Sequence, residues 1–263
     1  MDPIRVVVYG ALGKMGKEIV NGLYNRPEIK IVGAVDLNLN SERLILPDDS
    51  GCVPLSDNLS SILNEVNPDV LVDFTIASAT MQAVPVAGER GVNLVIGTTG
   101  LSPNDIEQIG KIVSINQIGA VIAPNFALGA VLMMHLAGVA SKYFNSAEII
   151  ELHHDQKVDA PSGTARATAS LMAETRTEPF GQPLTQQHLN SRGESVNGIK
   201  IHSVRLPGLL AHQEVILGAA GQTLHIKHNT ISRQCFIPGI VMAIEAVVKC
   251  KGLVYGLDNL LGL

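Results

Sequence analysis

The feature that most constrains the fold is a glycine-rich turn near the N-terminus. An apolar run over residues 5–9 leads into Gly10, Gly13 and Gly16, and residues 14–24 then carry apolar side chains at helical spacing. Glycines let the backbone turn tightly from a strand into a helix, whose N-terminus offers N–H groups and a partial positive charge to phosphates. The turn therefore predicts a strand–turn–helix unit that can hold the pyrophosphate of a dinucleotide.

An acidic residue ends the second predicted strand, residues 29–36. This residue is Asp36, which lies 20 residues beyond Gly16. An acid at this position can accept hydrogen bonds from both ribose hydroxyls of a dinucleotide. The glycine spacing is GxxGxxG rather than GxGxxG, so the motif alone leaves open a plain strand-to-helix turn with Asp36 as a loop acid.

The same acid bears on the choice of cofactor. Residues 37–39 are Leu-Asn-Leu and bring no cation beside Asp36. A 2′-phosphate would be repelled by the carboxylate, so we expect NADH to be preferred over NADPH. Lys14 can still reach a phosphate, which leaves use of both cofactors open.

The rest of the first half alternates between strands and helices. Further strands are predicted at residues 70–74, 92–96 and 120–123, and helices at 77–89 and 103–113. This alternation predicts a parallel, doubly wound sheet with right-handed crossovers. Aromatic residues make up only 3% of the chain, and an aliphatic core is typical of parallel strands buried on both faces.

After Asn125 the pattern changes to that of a second domain. The predicted elements are helices at 128–143 and 162–174, strands at 148–153, 200–206, 212–217 and 222–227, and a polar loop at 178–198. An Ala-Gly turn before residue 222 indicates a hairpin. A last helix, 239–248, resembles the first half in composition, which suggests that the chain returns there to the first domain.

The expected fold class is therefore α/β, with a Rossmann-type doubly wound parallel sheet and a smaller α+β domain that has a mixed or antiparallel sheet. The predicted dinucleotide-binding domain comprises residues 1–126 and 236–263. The predicted substrate-binding and oligomerisation domain comprises residues 127–235.

Composition argues against several classes of function. The formal net charge is −5 without a Lys/Arg run, so we expect no nucleic-acid partner, although an anionic small molecule stays possible. No apolar stretch reaches the roughly 18 residues that span a bilayer, and the N-terminus reads as a strand rather than a signal peptide. Three cysteines without metal-ligand spacing favour a reduced, cytoplasmic compartment.

The densest chemistry lies in residues 151–165, ELHHDQKVDAPSGTA. His153, His154 and Lys157 fall within five residues at the end of a predicted strand. A helix start follows at residues 161–164, with Asp159 or Ser162 as its N-cap. Cations beside an anion-binding helix start suit a substrate that carries carboxylates, and a His or Lys there can supply a proton in step with hydride delivery.

Other interpretations of this segment stay open. Adjacent histidines on a strand point to opposite faces, so at most one of them would face a given ligand. A zinc site lacks a third ligand at a suitable spacing, and we expect no metal. A solvated loop would explain residues 154–156 one by one, but not why cations precede a Ser-Gly-Thr helix start.

Small and polar residues also end several strands of the first domain. They are Thr75, Gly97, Thr98, Thr99, Asn125 and Phe126. The carboxyl ends of strands in doubly wound sheets face the ligand crevice, so these residues together outline a cleft.

At this point the motifs match a known family. The chain resembles the 4-hydroxy-tetrahydrodipicolinate reductases, formerly called dihydrodipicolinate reductases, of the diaminopimelate route to lysine. The resemblance covers nearly the whole chain. Its segments are GALGKMG at Gly10, VDFT at Val72, VIGTTG at Val95, APNFALG at Ala123, ELHHDQKVDAPSGTA at Glu151, SVRLPGLLAHQEV at Ser203 and YGLDNLL at Tyr255.

The resemblance implies roles for individual residues. It implies a cofactor site whose pyrophosphate and ribose contacts are Gly10, Ala11, Leu12, Gly13, Lys14, Met15 and Asp36. The nicotinamide half would be lined by Gly97, Thr98, Thr99, Ala123, Pro124, Asn125 and Phe126, with Thr75 on the same rim. His153 would be a proton donor or acceptor and Lys157 a proton donor. The substrate carboxylates would be held by His154, Gly163 and Thr164, together with Ser162 and Thr99.

The resemblance also implies the reaction: hydride transfer from NADH or NADPH with loss of water, giving tetrahydrodipicolinate. Members are usually homotetramers that associate through the sheet of the second domain. Some members have an Arg where this chain has Leu37 or Ile76, which weakens the case for NADPH. Two alternatives stay open, another dehydrogenase of a small amino or oxo acid and a non-catalytic, dinucleotide-sensing oligomer.

Overall fold

The structure, a computed structural model, describes residues 2–39, 41–47, 51–181 and 190–263. The backbone forms two compact units, which we call unit 1 (residues 1–128 with 233–263) and unit 2 (residues 129–232). These limits lie two residues after the predicted boundary at 126 and three residues before the one at 236. Each unit is built on a sheet of its own.

The secondary structure of the described residues is as follows. The strands are β1 (Ile4–Tyr9), β2 (Ile29–Val35), β3 (Arg43–Ile45), β4 (Cys52–Ser56), β5 (Val70–Asp73), β6 (Asn93–Ile96), β7 (Gly119–Ile122), β8 (Ser146–His153), β9 (Glu194–Val196), β10 (Ile199–Arg205), β11 (Ala211–Ala219), β12 (Gln222–Thr230) and β13 (Gly252–Tyr255). The helices are α1 (Lys14–Leu23), α2 (Leu59–Val66), α3 (Ala77–Gly88), α4 (Pro103–Ile115), α5 (Leu128–Ser141), α6 (Gly163–Glu174), α7 (Ile237–Val247) and α8 (Leu257–Leu261).

Unit 1 is a doubly wound sheet. Its eight strands lie in the order β13-β7-β6-β5-β1-β2-β4-β3, and all neighbouring pairs are parallel except β3 with β4. β5 and β7 are buried along their whole length, as expected for strands covered by helices on both faces. The predicted Rossmann-type sheet is confirmed. Its ligand crevice is expected where the strand order reverses, at the carboxyl ends of β1, β2 and β5.

Five elements of unit 1 were not predicted from the sequence: β3, β4, α2, β13 and α8. Pro54 interrupts the apolar pattern of β4, and a proline inside a run argues against a strand. α2 has only eight residues, capped by Asn58, whose side chain accepts from the Ser61 N–H at 3.0 Å. Short elements with broken patterns give little periodic signal.

Unit 2 is built on a mixed, five-stranded sheet in the order β12-β11-β8-β10-β9. β10 runs parallel to β8, whereas the other neighbouring pairs are antiparallel. One face packs on α5 and α6 around a core that includes Ile149, Met172, Ile201 and Val215. The predicted second sheet is confirmed, and so is the hairpin, because β11 and β12 pair up to Ala219 and Gln222.

The predicted loop at 178–198 is wrong at its C-terminal end. Residues 190–192 form a 3₁₀ turn, and β9 pairs with β10 across Asn197 and Gly198, which both have positive φ. Asn-Gly with positive φ at both positions forms a type I′ turn, a strong hairpin signal that the polar composition concealed. Residues 182–189 of this predicted loop lie outside the described residues.

Candidate active site

The glycine turn of unit 1 has a backbone that only glycines allow. Gly10 has a φ of +82°, and a Cβ there would lie 2.9 Å from Thr75 Cγ2 and 3.0 Å from the Phe74 carbonyl oxygen. A Cβ at Gly16 would lie 2.0 Å from the Gly10 carbonyl oxygen, so α1 packs directly on the turn. Both positions therefore need glycine, one for conformation and one for close approach.

Asp36 is tied to this turn. Its buried carboxylate accepts from the Leu12 N–H at 2.9 Å and the Asn38 N–H at 3.1 Å. Gly13 is the N-cap of α1, and among the described residues no side chain caps this helix. The N–H groups of Lys14 and Met15 thus lie in the first turn of a helix, where N–H groups can donate to phosphate oxygens. The glycine cradle and the acid fit a dinucleotide.

A second carboxylate in unit 1, Asp73 at the end of β5, is surrounded by threonines. It is 1% exposed and accepts from the Thr75 hydroxyl and the Thr80 hydroxyl, each at 2.6 Å, and from the Thr98 hydroxyl at 3.2 Å. Thr75 N–H also donates to Thr98 Oγ at 2.9 Å. Burial raises the pKa of Asp73, and the threonine hydrogen bonds oppose that shift. Asp73 thus joins two predicted rim residues, Thr75 and Thr98.

The other predicted rim residues differ in packing and in exposure. Gly97 is required by packing, since a Cβ there would lie 2.2 Å from the Phe74 ring. That ring packs on Phe126, with centroids 5.4 Å apart, and Phe126 is buried. Thr99 and Pro124 are exposed, Asn125 is half-buried and Ala123 is buried.

In unit 2, the predicted proton-transfer residue His153 ends β8 beside a buried acid. Its Nδ1 lies 2.5 Å from Glu151 Oε2, and the side chains of His153 and Glu151 are 14% and 0% exposed. Arg205 donates to both oxygens of the same carboxylate, at 2.9 and 2.8 Å, and the Ser162 N–H donates to it at 3.2 Å. Four N–H groups therefore converge on one carboxylate.

The charge state of Glu151 follows from these contacts. Burial would raise its pKa, but the hydrogen bonds from His153, Arg205 and Ser203 outweigh burial and lower the pKa to about 2. The group is therefore an anion near neutral pH, and it cannot itself serve as the acid there.

The loop after β8 carries Lys157. Its Nζ donates to Asp159 Oδ1 at 2.7 Å, and its side chain is 22% exposed. Its N–H donates to the His154 carbonyl at 3.2 Å, which closes a turn. Arg205 holds this loop from the strand side through the Asp159 carbonyl at 2.6 Å and the Lys157 carbonyl at 3.3 Å. The ammonium thus lies near His153 in sequence, on a backbone that is fixed by side chains.

The predicted helix start is at α6. Ser162 is its N-cap and accepts from the Ala165 N–H at 3.2 Å, whereas Asp159 is not the cap. Ser162 is 2% exposed, and its side chain is engaged in capping. A Cβ at Gly163 would meet no described atom within 4 Å, so protein packing leaves space beside Gly163 and Thr164. Their N–H groups lie in the first turn of the helix, where they can donate hydrogen bonds to a substrate carboxylate.

Sequence reasoning assigned no role to Glu151, Arg205 or Asp73. Glu151 was detectable, because residues two apart on a strand share a face and it lies two before His153. Arg205 was not detectable, because its contact with Glu151 depends on the β8–β10 register, which places Arg205 opposite His153.

Two negative findings apply to the described parts of the chain. In those parts, no three His, Cys, Asp or Glu side chains gather as a metal site. Likewise, none of the helices found there has the length and apolarity to cross a membrane.

Comparison with known proteins identifies the family. The sequence patterns of the N-terminus and C-terminus of dihydrodipicolinate reductase match residues 4–126 and 129–261. This chain belongs to the dihydrodipicolinate reductase family. The 4-hydroxy-tetrahydrodipicolinate reductase of Dehalococcoides mccartyi is 55% identical over 263 residues, 100% of both chains. That of Moorella thermoacetica is 47% identical over 264 residues, 98% of each.

Solved structures agree with this membership. A dipicolinate-bound dihydrodipicolinate reductase from Paenisporosarcina sp. TG-14 matches with a TM-score of 0.86 and 41% identity, covering 98% of this chain and 99% of that chain. An amine dehydrogenase from Mycobacterium smegmatis, at 16% identity and a TM-score of 0.66 over 97% and 95% of the two chains, shares the fold alone. Dihydrodipicolinate reductases are oxidoreductases with a dinucleotide-binding N-terminal domain, and the resemblance noted from the sequence is confirmed.

Proposed function

We propose that this chain reduces 4-hydroxy-tetrahydrodipicolinate to tetrahydrodipicolinate with NAD(P)H, in the diaminopimelate route to lysine. The observation that carries the proposal is the arrangement in unit 2, where His153 and Lys157 immediately precede the open helix start at Gly163. Two cationic or protonatable groups beside an anion-binding helix start fit a ring that carries carboxylates. Full-length identity to named reductases supports the same substrate.

The substrate and product differ by a hydroxyl that is replaced with hydrogen. Substrate, NAD(P)H and one proton therefore give product, NAD(P)⁺ and water. NAD(P)H, when bound, supplies the hydride. The glycine turn and the α1 N-terminus would hold its pyrophosphate, and Asp36 its adenosine ribose.

The side chains of unit 2 would handle the protons. His153 would exchange a proton with the reacting ring through the imidazole nitrogen that Glu151 does not contact. Lys157 would donate a proton after substrate draws its ammonium from Asp159. The carboxylates would be bound by His154 and by the N–H groups of Gly163 and Thr164, with Ser162 beside them in the same unit.

Turnover measurements test this assignment. We expect His153→Ala and Lys157→Ala to lower kcat by about 10²–10⁴-fold while NADH binding is retained, because proton transfer is lost and the cofactor unit is untouched. Lys142→Ala, which removes an exposed ammonium of the same unit, should leave kcat unchanged. Unchanged turnover in both site variants would refute the assignment.

Substrate class is tested by inhibition. Pyridine-2,6-dicarboxylate should compete with substrate, since it has the same ring size and the same two carboxylates. A dehydrogenase of another amino or oxo acid should not respond. A dinucleotide-sensing protein would bind NADH without turning over any substrate.

For the cofactor, we propose a preference for NADH. The buried Asp36 carboxylate accepts two backbone N–H groups at the turn, and residues 37–39 add no cation that could neutralise a 2′-phosphate. Fluorescence titration of both cofactors should give the lower Kd for NADH. Asp36→Asn should reduce the difference between the Kd values for NADH and NADPH. A lower Kd for NADPH than for NADH in the parent protein would contradict the preference.

For the assembly, we propose a homotetramer formed through the open face of the unit 2 sheet. Strand residues on the face opposite α5 and α6 include Ile150, Leu152 and Ile216, which are half-buried. A sheet face of this kind without a covering helix in the described residues favours pairing with a second copy. Sedimentation should give a tetramer, and Ile216→Lys should dissociate it. A monomeric parent protein would refute the assembly.

A further inference from the structure

The Glu151 carboxylate is the common partner of three parts of the candidate site. It contacts the His153 ring, the Ser162 N–H at the start of α6, and Arg205, which holds the Lys157 loop. We propose that Glu151, fixed by Arg205, is a positioning residue that sets which nitrogen of His153 carries the exchangeable proton. The kinetic part of this inference rests on the proposed function.

The donor and acceptor chemistry of Glu151 and His153 determines which imidazole nitrogen carries the proton. An ionised carboxylate only accepts hydrogen bonds, so the Nδ1 of His153 must be the donor. In the neutral imidazole this leaves Nε2 as the acceptor, and Nε2 is the nitrogen that can take or give a proton at the ring. A buried acid beside histidine is known to hold the tautomer and to stabilise the imidazolium in this manner.

Arg205 makes this arrangement unambiguous. Its guanidinium forms a two-pronged contact with Glu151, at 2.9 and 2.8 Å, and is itself 18% exposed. A paired, buried carboxylate stays ionised, so the proton shared with His153 stays on the imidazole. Without this cation, the 0% exposed acid would be driven towards its neutral form and could donate to Nδ1 instead.

The same guanidinium extends the effect to Lys157. It donates to the carbonyls of Asp159 and Lys157, so the position of the Glu151 carboxylate fixes the loop backbone as well as the ring. The imidazole and the ammonium are therefore placed by one ion pair, rather than by two independent sets of contacts.

A merely structural ion pair makes a different prediction, and a double variant separates the two. Removing only one partner of a buried pair leaves an uncompensated charge, whereas replacing both restores much of the stability. We expect Glu151→Gln to lower kcat by about 10²–10⁴-fold, because an amide can donate to Nδ1 and select the other tautomer. The KM for substrate and the Kd for NADH should change by less than about threefold.

The combined Glu151→Gln/Arg205→Met variant should regain stability over Arg205→Met but keep the low kcat. The matched control is Glu194→Gln, because Glu194 forms a two-pronged pair with Arg166 at 2.7 and 2.9 Å, exposed and in the same unit. Its kcat should equal that of the parent protein. Recovery of kcat in the double variant to within about tenfold of the parent would overturn the proposal.

A measurement without turnover keeps this inference separate from the proposed function. The ¹⁵N spectrum of the histidine-labelled full chain, with His153 assigned by its loss in His153→Ala, should show the proton on Nδ1 in the parent and on Nε2 in Glu151→Gln. A parent His153 protonated on Nε2 alone refutes the positioning role even if the enzyme is active. An inactive parent with the expected tautomer refutes the reaction and retains the positioning role.

Discussion

Two buried carboxylates at the ends of strands, Asp73 in unit 1 and Glu151 in unit 2, have opposite electrostatic environments. Asp73 is 1% exposed and accepts from three threonine hydroxyls, whereas Glu151 is 0% exposed and accepts from Arg205 and His153. Burial raises the pKa of Asp73, whereas at Glu151 the hydrogen bonds from His153, Arg205 and Ser203 outweigh burial and lower the pKa to about 2.

The difference shows that burial alone does not decide the charge of an acid. Burial raises the pKa of Asp73, and the hydrogen bonds from neutral threonine hydroxyls oppose that shift without outweighing it. At Glu151, the guanidinium of Arg205 compensates for the hydration that the carboxylate loses on burial. In unit 1, the Asp73 carboxylate thereby holds the rim threonines through hydroxyl contacts. In unit 2, the Glu151 anion lies beside His153 and Arg205.

The largest effect should come from removing the cation of the Glu151 pair. We expect Arg205→Met to lower the free energy of unfolding by about 3–5 kcal/mol, because a buried anion is left unpaired. Denaturant unfolding measures the loss. Arg166→Met breaks the exposed pair with Glu194 and should cost less than about 1 kcal/mol. Equal losses in the two variants would remove the distinction between buried and exposed pairs.

A second effect should appear in the pH dependence of stability. The pKa of Glu151 falls from 4.5 to about 2 on folding, so the folded state binds fewer protons between these values. Its stabilising contribution, on the order of 3 kcal/mol, is present above pH 4.5 and is lost as the pH falls towards 2. Denaturant unfolding at a series of pH values measures this loss. In Glu151→Gln, the free energy of unfolding should fall less between pH 4.5 and pH 2 than in the parent protein.

Asp73 should act in the opposite direction. Because its pKa is raised, the folded state retains the proton, and stability is lost as the pH rises from 3.8 through the folded pKa. Asp73→Asn should remove this part of the pH dependence. If Glu151→Gln and Asp73→Asn changed the slope of the free energy of unfolding against pH in the same direction, the opposite roles of the two carboxylates would be contradicted.

The smallest effect should come from one hydroxyl of the Asp73 cluster. Thr80→Val keeps the shape of a fully buried side chain but removes the donor at 2.6 Å from Asp73 Oδ2. We expect a loss of about 1–3 kcal/mol, greater at a pH where the carboxylate is charged. Ser78→Ala, on the exposed side of α3, should change stability by less than about 0.5 kcal/mol. A loss at Thr80 no greater than this would show that Asp73 does not need the hydroxyl.

Sequence reasoning succeeded where the signal is local. The strand–turn–helix unit at the glycine turn, the N-cap Ser162 and the β11–β12 hairpin each depend on a few consecutive residues. It missed β9 although Asn197-Gly198 marks the turn, because the surrounding residues are polar. It could not find the Arg205–Glu151 pair, whose members are 54 residues apart in sequence and meet through sheet register.

Asp73 is an intermediate case. The acid at the end of an apolar strand is visible in the sequence, but its function depends on Thr80 in the next helix and Thr98 after the next strand. Such clusters form only once the strand order is fixed. Sequence patterns therefore predict the elements more readily than the hydrogen bonds between them.

The return of the chain to unit 1 has a consequence for biosynthesis on the ribosome. α7 and β13 are made after unit 2, yet β13 lies at the edge of the first sheet and Ile237 packs against Gly22 of α1. A nascent chain that ends at residue 232 contains all of unit 2 but lacks these elements. The glycine turn is thus synthesised before unit 2, and its helix receives Ile237 as a neighbour only after unit 2 has been made.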